Sequence, residues 1–235
     1  MAEKIKHSLY LYEEVLLLGL QDQKGKIDYR AGFINNILAG AIVAELLLAG
    51  RISIEEKKSR LVNVIDSSGF DDLILNWAIK KMTEAKRRKP VQGWITTLAG
   101  IPKLMEHIAQ GLCKKGILKE EESEILWIFK SKRYPEIDHE PERKLLERIQ
   151  KAIFTEQENV DTRTSILISL SYRSNLLSIA FSNKEIRNNS KRIEKIINGE
   201  LIGRATDEVI KAVQAAAAMS AVMPAIMTST IISSS

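Results

Sequence analysis

An internal disulfide is excluded at once, because the 235-residue chain holds a single cysteine, Cys113, and a lone thiol suits a reducing compartment. Five prolines and twelve glycines leave no stretch that reads as a long disordered linker. The three histidines, His7, His107 and His139, are scattered. Neither His-Glu-x-x-His nor Cys-x-x-Cys occurs, so no metal site is spelled out. The stretch "DHEPE" at 138–142 sets one histidine among carboxylates without cysteine partners, and it reads as a solvated loop.

Nucleotide and nucleophile signatures are missing as well. "GLQDQKGKI" at 19–27 imitates a phosphate loop, but Gly19 lies one residue too far from Gly25 and Ile27 stands where Ser or Thr is needed. A helix also precedes it where a strand should. Neither Gly-x-Gly-x-x-Gly nor Gly-x-Ser-x-Gly occurs. Enzymatic activity and a cofactor are therefore not expected. The opening "MAEKIKHSL" lacks the apolar core and small-residue cleavage site of a secretory signal.

Charge is present and unevenly spread. Thirty-five basic against thirty acidic residues give a net +5, compatible with an anionic partner. Residues 80–89, "KKMTEAKRRK", hold six positive charges and one negative, and residues 184–195, "KEIRNNSKRIEK", hold five and two. Such runs are solvated helix ends, or a surface facing phosphate from lipid or nucleic acid. Residues 212–232 carry no charge and approach the ~20 residues that span a bilayer. Gln214, Pro224 and several hydroxyl residues dilute that run, so a buried helix with a loose polar tail at 221–235 is expected.

Hydrophobic patterning predicts a mostly α fold. Residues 9–20 are apolar on nearly every side, which marks a helix buried all round. Gly25 makes a turn, Asp28 is placed to cap a second helix, and that helix closes at Gly50. Residues 51–66 then read as a β-hairpin, with Ile52 and Ile54 before the turn and Val62 and Val64 after it. The order repeats. A helix over 102–115 ends at Gly116, an acidic run follows, and "ILWIFKSKRYP" at 125–135 returns. Two winged-helix-like units result. Pro90 and Pro102 bracket a short helix, and further helices are predicted over 142–154, 164–180, 184–198 and from 206 onward. One domain over 8–220 is expected, with one hairpin protruding.

That second hairpin carries the sharpest local signal. Five large apolar residues, Ile125 to Phe129, precede Lys130, Lys132 and Arg133. A core strand fits, and so does a finger whose Trp127, Ile128 and Phe129 enter a bilayer interface while basic residues meet anionic headgroups.

Four stretches, in order and in register, resemble the Golgi phosphoprotein 3 family. They are "LYEEVLLLGLQDQKG", "AELLLAGRISIE", "VQGWITTLAG" and "GLCKKGILKEEESEILWIF". The resemblance runs from about residue 8 to 218. It implies a helical, cytoplasmic, peripheral membrane protein without enzymatic activity, on the Golgi membrane in eukaryotes. Eukaryotic members bind phosphatidylinositol 4-phosphate and act as adaptors that hold the cytosolic tails of membrane proteins. The family's hairpin inserts into membrane and mediates self-association. The family's headgroup pocket uses one tryptophan and three arginines, and those positions here hold Arg30, Ala39, Pro102 and Met105. Arg30, Lys103 and His107 lie in or beside that region and are the candidate headgroup ligands. The family's basic N-terminal extension is missing, as in a prokaryotic relative. A winged-helix nucleic-acid binder is the alternative, disfavoured because its recognition helix would carry only Arg30 near the start.

Overall fold

The structure, a computed structural model, describes residues 9–21, 25–27, 34–55, 60–125 and 129–201, side chains at 21, 123–125 and 129–131 excepted. Among the described residues ten helices and three separate two-stranded antiparallel ladders alternate along the chain.

The centre is helix α1 (Leu11–Gly19), whose nine residues are all buried, as the run of leucines predicts. It packs on α2 (Ile34–Leu48), which is buried without a break from Ile37 to Leu47. Each large side chain removed from water in this pair contributes about 1.5–3 kcal/mol. Ala39, Gly40 and Ala41 are buried on α2, and α2 also packs on α4 (Val91–Ala99). Strands β1 (Leu20–Gln21) and β2 (Lys26–Ile27) pair around the turn at Gly25.

Helix α2 ends as its glycine predicts. The amides of Gly50 and Arg51 donate to the carbonyls of Leu47 and Leu46, the double bond of a Schellman cap, with Gly50 at φ 66°. The first hairpin follows, β3 (Ile52–Ile54) against β4 (Val62–Val64) with Ile52 opposite Val64. The same closure recurs at Gly116, φ 72°, after α5 (Leu104–Lys114). The second hairpin then pairs β5 (Glu121–Ile125) with β6 (Phe129–Arg133).

Helix α3 (Leu73–Thr83) falls in a stretch read above only for its charge. Its apolar residues Ile74, Leu75, Ala78, Ile79 and Met82 bury one face, and Asp72 caps it by accepting from the Leu75 amide at 2.8 Å. Helix α6 (Glu140–Phe154) follows the second hairpin. The predicted helix over 164–180 divides into α7 (Thr162–Arg173) and α8 (Leu177–Ala180), broken where Asn175 adopts φ 63°. The one over 184–198 divides into α9 (Asn183–Asn188) and α10 (Ser190–Ile197). Asp28 and residues 202–235, including the uncharged run and the tail, lie outside the described residues. No helix among the described residues is long and apolar enough to cross a membrane.

Candidate functional site

Two of the headgroup candidates, Lys103 and His107, lie at the start of α5. Lys103 stands just before α5 in a left-handed conformation, φ 55°, with its side chain 69% exposed. His107 follows one helical turn later and donates its amide to the Lys103 carbonyl at 3.0 Å. Its ring meets Trp77 of α3 edge-on, with centroids 4.8 Å apart. A phosphate at this end of α5 would meet the positive pole of the helix, but it would also meet Glu106, whose carboxylate lies 3.9 Å from Lys103 Nζ. Arg30 lies outside the described residues. Of the other family pocket positions, Ala39 is sealed in the core and Met105 packs partly buried against it.

The hairpin is better defined. Its base is clamped to the turn after α1: the Tyr134 amide donates to the Gly25 carbonyl at 2.8 Å, and the Lys119 amide to Pro135 at 2.9 Å. Gly25 is required here, since a Cβ on it would lie 2.2 Å from the Pro135 nitrogen. From that base the ladder runs outward through five pairs to Ile125 opposite Phe129, a reach of about 17 Å at ~3.3 Å per residue. Trp127 and Ile128 fall between those two residues and lie outside the described set. Phe129 and Lys130 are placed by backbone alone, at the outer end of β6.

Register changes the reading of the basic residues. Lys130, Lys132 and Arg133 sit opposite Glu124, Glu122 and Glu121, so each positive position of β6 faces a negative one on β5. Lys132 and Arg133 also lie at the body end of the ladder, away from Phe129. Lys132 donates to Glu120 Oε1 at 2.6 Å, and Glu120 also accepts from Gln110 and Tyr134 at 3.4 Å each. The Lys132 bond holds the Glu120 carboxyl below the usual carboxylate range. The finger therefore carries little net charge of its own.

Three glutamates that sequence reasoning left without a role explain the opening motif. Glu13 accepts from the Tyr10 amide at 2.8 Å and pairs with Lys115 at 2.6 Å. Glu14 pairs with Arg148 of α6 at 2.9 Å. Glu45 of α2 accepts the Leu11 amide at 2.7 Å and takes both arms of a fork from Arg163, at 2.8 and 3.2 Å. Arg163 also donates to the Leu9 carbonyl at 2.8 Å. Carboxylates thus satisfy amides at the start of α1 that no helix bond can reach, and each ties a different helix to it. Burial raises both Glu13 and Glu14 above the ordinary value despite their cationic partners. For Arg163 burial pulls down, but the bonds and charge of Glu45 outweigh it and leave the guanidinium above its usual value. A paired Glu-Glu inside an otherwise apolar helix was the available signal; the partners, far along the chain, gave none.

No three His, Cys, Asp or Glu side chains converge as metal ligands among the described residues. His139 instead pairs its Nδ1 with Glu136 at 2.7 Å beside the start of α6.

The chain is similar to the Vacuolar protein sorting-associated protein 74 of Schizosaccharomyces pombe, 26% identical over 220 residues. That match covers 80% of this chain, and the chain spans about 65% of the length of the relative. The model of the family described as Golgi phosphoprotein 3 (GPP34) matches residues 11–213, from the first residue of α1 through all ten described helices and both helix–glycine–hairpin units. With motif, helix order and hairpin all inside that match, the chain belongs to the Golgi phosphoprotein 3 family.

Proposed function

We propose that this chain is a non-enzymatic peripheral membrane protein that docks on anionic phospholipid and acts as an adaptor for the cytosolic tails of membrane proteins, at the Golgi in a eukaryotic cell. The observation that carries the reading is the β5–β6 ladder, which sets Ile125 and Phe129 at its outer end, with Leu126, Trp127 and Ile128 between them in the chain. Removing Trp127, Ile128 and Phe129 from water at a bilayer interface is worth ~1.5–3 kcal/mol each. That is enough for reversible docking and too little for permanent anchoring.

Because the finger is close to neutral, attraction to anionic lipid falls to other surfaces. Lys103 is exposed beside α5, and Lys184, Arg187, Lys191 and Lys195 are exposed along α9 and α10. Each such cation near an anionic leaflet contributes about 1 kcal/mol. The class of ligand is an anionic phospholipid, phosphoinositide in the family's eukaryotic members. The S. pombe relative is named for vacuolar protein sorting, in keeping with an adaptor. Self-association through the finger belongs to the same reading.

Co-sedimentation with liposomes of graded anionic content tests it. Wild-type chain partitions increasingly as anionic lipid rises, and a Trp127→Ala, Phe129→Ala double variant partitions at least tenfold less. A double variant that sediments like wild type removes the finger from the account. The nucleic-acid alternative finds little support, because α2, the helix before the first hairpin, is buried from Ile37 to Leu47 and has no face to offer a DNA groove. Nanomolar, steeply salt-dependent duplex binding would restore it.

A further inference from the structure

A groove of about 360 Å³ opens beside the first hairpin, with no residue of the finger in its lining, between Val62, Val64 and Ile65 and Met82, Ala85, Arg88 and Trp94. Its strand wall is an open edge. The bonds from the Glu55 amide to Leu61 and from the Ile65 amide to Arg51 mark the hydrogen-bonded pairs of this ladder. By the alternation of antiparallel pairing, the backbone groups of Val62 and Val64 then point outward. The outward amide of Val62 donates to the Lys89 carbonyl at 3.0 Å, and Leu61 bridges Pro90. Pairing stops there: no described residue hydrogen-bonds to the backbone of Val64. In the groove wall the Trp94 indole N–H is buried and lacks a partner, a donor left over at real cost.

The rim is cationic. Of the described carboxylates around it, Glu55 is matched by Arg88, Asp66 by Arg51, and Glu84 by Lys80. Arg88 also donates to Asn63 at 2.5 Å, and Lys89 bonds Thr97 at 2.8 Å while lying over the Trp94 ring. Lys81, Lys86 and Arg87 remain exposed, next to the groove residues Met82, Ala85 and Arg88, with no ion pair among the described residues. Exposed Ile65 extends the apolar lip.

We propose that this groove binds an extended acidic peptide, which adds as a strand along the open edge of β4 at Val64, sets an aliphatic side chain over Val62, Met82 and Trp94, and presents carboxylates to Lys81, Lys86 and Arg87. An unpaired strand edge with an adjoining pocket is the geometry of strand addition. A concave slot of this kind suits a chain segment rather than a flat lipid surface. The proposal stands apart from the lipid-binding reading, which rests on the finger.

A labelled peptide of alternating Glu and Val, titrated with the full chain and followed by fluorescence anisotropy, tests it. Wild type binds this peptide and not the same peptide with Lys in place of Glu. A Lys86→Glu, Arg87→Glu double variant, altered only at exposed positions, weakens binding at least tenfold. Hydrogen exchange at the Val64 amide slows when peptide is added. A Trp127→Ala, Phe129→Ala variant keeps peptide affinity, which separates this result from the membrane one. Equal binding of acidic and basic peptides, or a double variant that binds like wild type, overturns the proposal. So does a wild type that ignores the peptide while the double variant loses binding to phosphatidylserine vesicles, which would make the rim a membrane contact.

Discussion

Glu45 offers the most demanding test of how this fold is held. Its carboxylate accepts the Leu11 amide and both arms of Arg163, with side chains 9% and 34% exposed. Glu45→Ala strands the guanidinium and the amide together. Breaking a buried pair costs about 3–5 kcal/mol, and losing a charge-assisted bond to an amide costs about 1.5–3. The two overlap, and Arg163 retains some contact with water, so about 3–4 kcal/mol is the expected total. In a chain of this size each kcal/mol moves Tm by about 2–4 °C, so Glu45→Ala should melt about 6–16 °C below wild type. Glu45→Gln keeps an acceptor for Leu11 and loses only the charge, and it should lose about half as much. Urea titration with an unchanged m-value checks that the folded state, not the denatured one, has moved. A Glu45→Ala protein within 1 kcal/mol of wild type, or Gln and Ala variants of equal stability, would refute the reasoning.

Other perturbations separate the remaining contributions. Burial places Glu13 and Glu14 above the unfolded value of about 4.5, so the stability they contribute is fully present below that pH and is lost as pH rises through their folded values. The stability of wild type minus that of a Glu13→Gln, Glu14→Gln variant should therefore fall as pH rises above about 4.5; a flat difference contradicts it. Gly25→Ala combines a left-handed backbone, costing ~1–2 kcal/mol, with a Cβ only 2.2 Å from backbone of Pro135. Loss of more than about 2 kcal/mol and faster proteolysis within the finger are expected. Asp161 caps α7 by accepting the Thr164 amide at 3.0 Å, and Asp161→Ala should cost about 1 kcal/mol in thermal melting.

What the chain shows on its own follows from the range of each signal. Local periodicity was enough for the all-buried α1, both glycine-closed helices and both hairpins, because those patterns are complete within about twenty residues. Helix α3 was equally legible, with Asp72 as cap and an apolar stripe from Ile74 to Met82, but Lys80 and Lys81 in its last turn merge with the basic run that follows and blur its period. The breaks at Asn175 and Asn189 carry weaker signals, since asparagine tolerates a non-helical backbone without demanding it. At the candidate site the limits are physical. The register that sets Glu122 against Lys132 depends on where the ladder begins, which the clamp between Tyr134 and Gly25 decides. The partners of Glu13, Glu14 and Glu45 sit 102, 134 and 118 residues away, beyond any local pattern.

Those separations set an order of events during synthesis. The ribosome delivers the N-terminal end first, at about 5–20 residues per second. Helix α1 therefore emerges long before Lys115, Arg148 or Arg163. Until each of these leaves the exit tunnel, the carboxylate it pairs with in the folded chain lacks that partner. Those charges keep the leucine-rich start wetted while it waits, and the arrival of the third cation lets the nascent chain close around its own beginning.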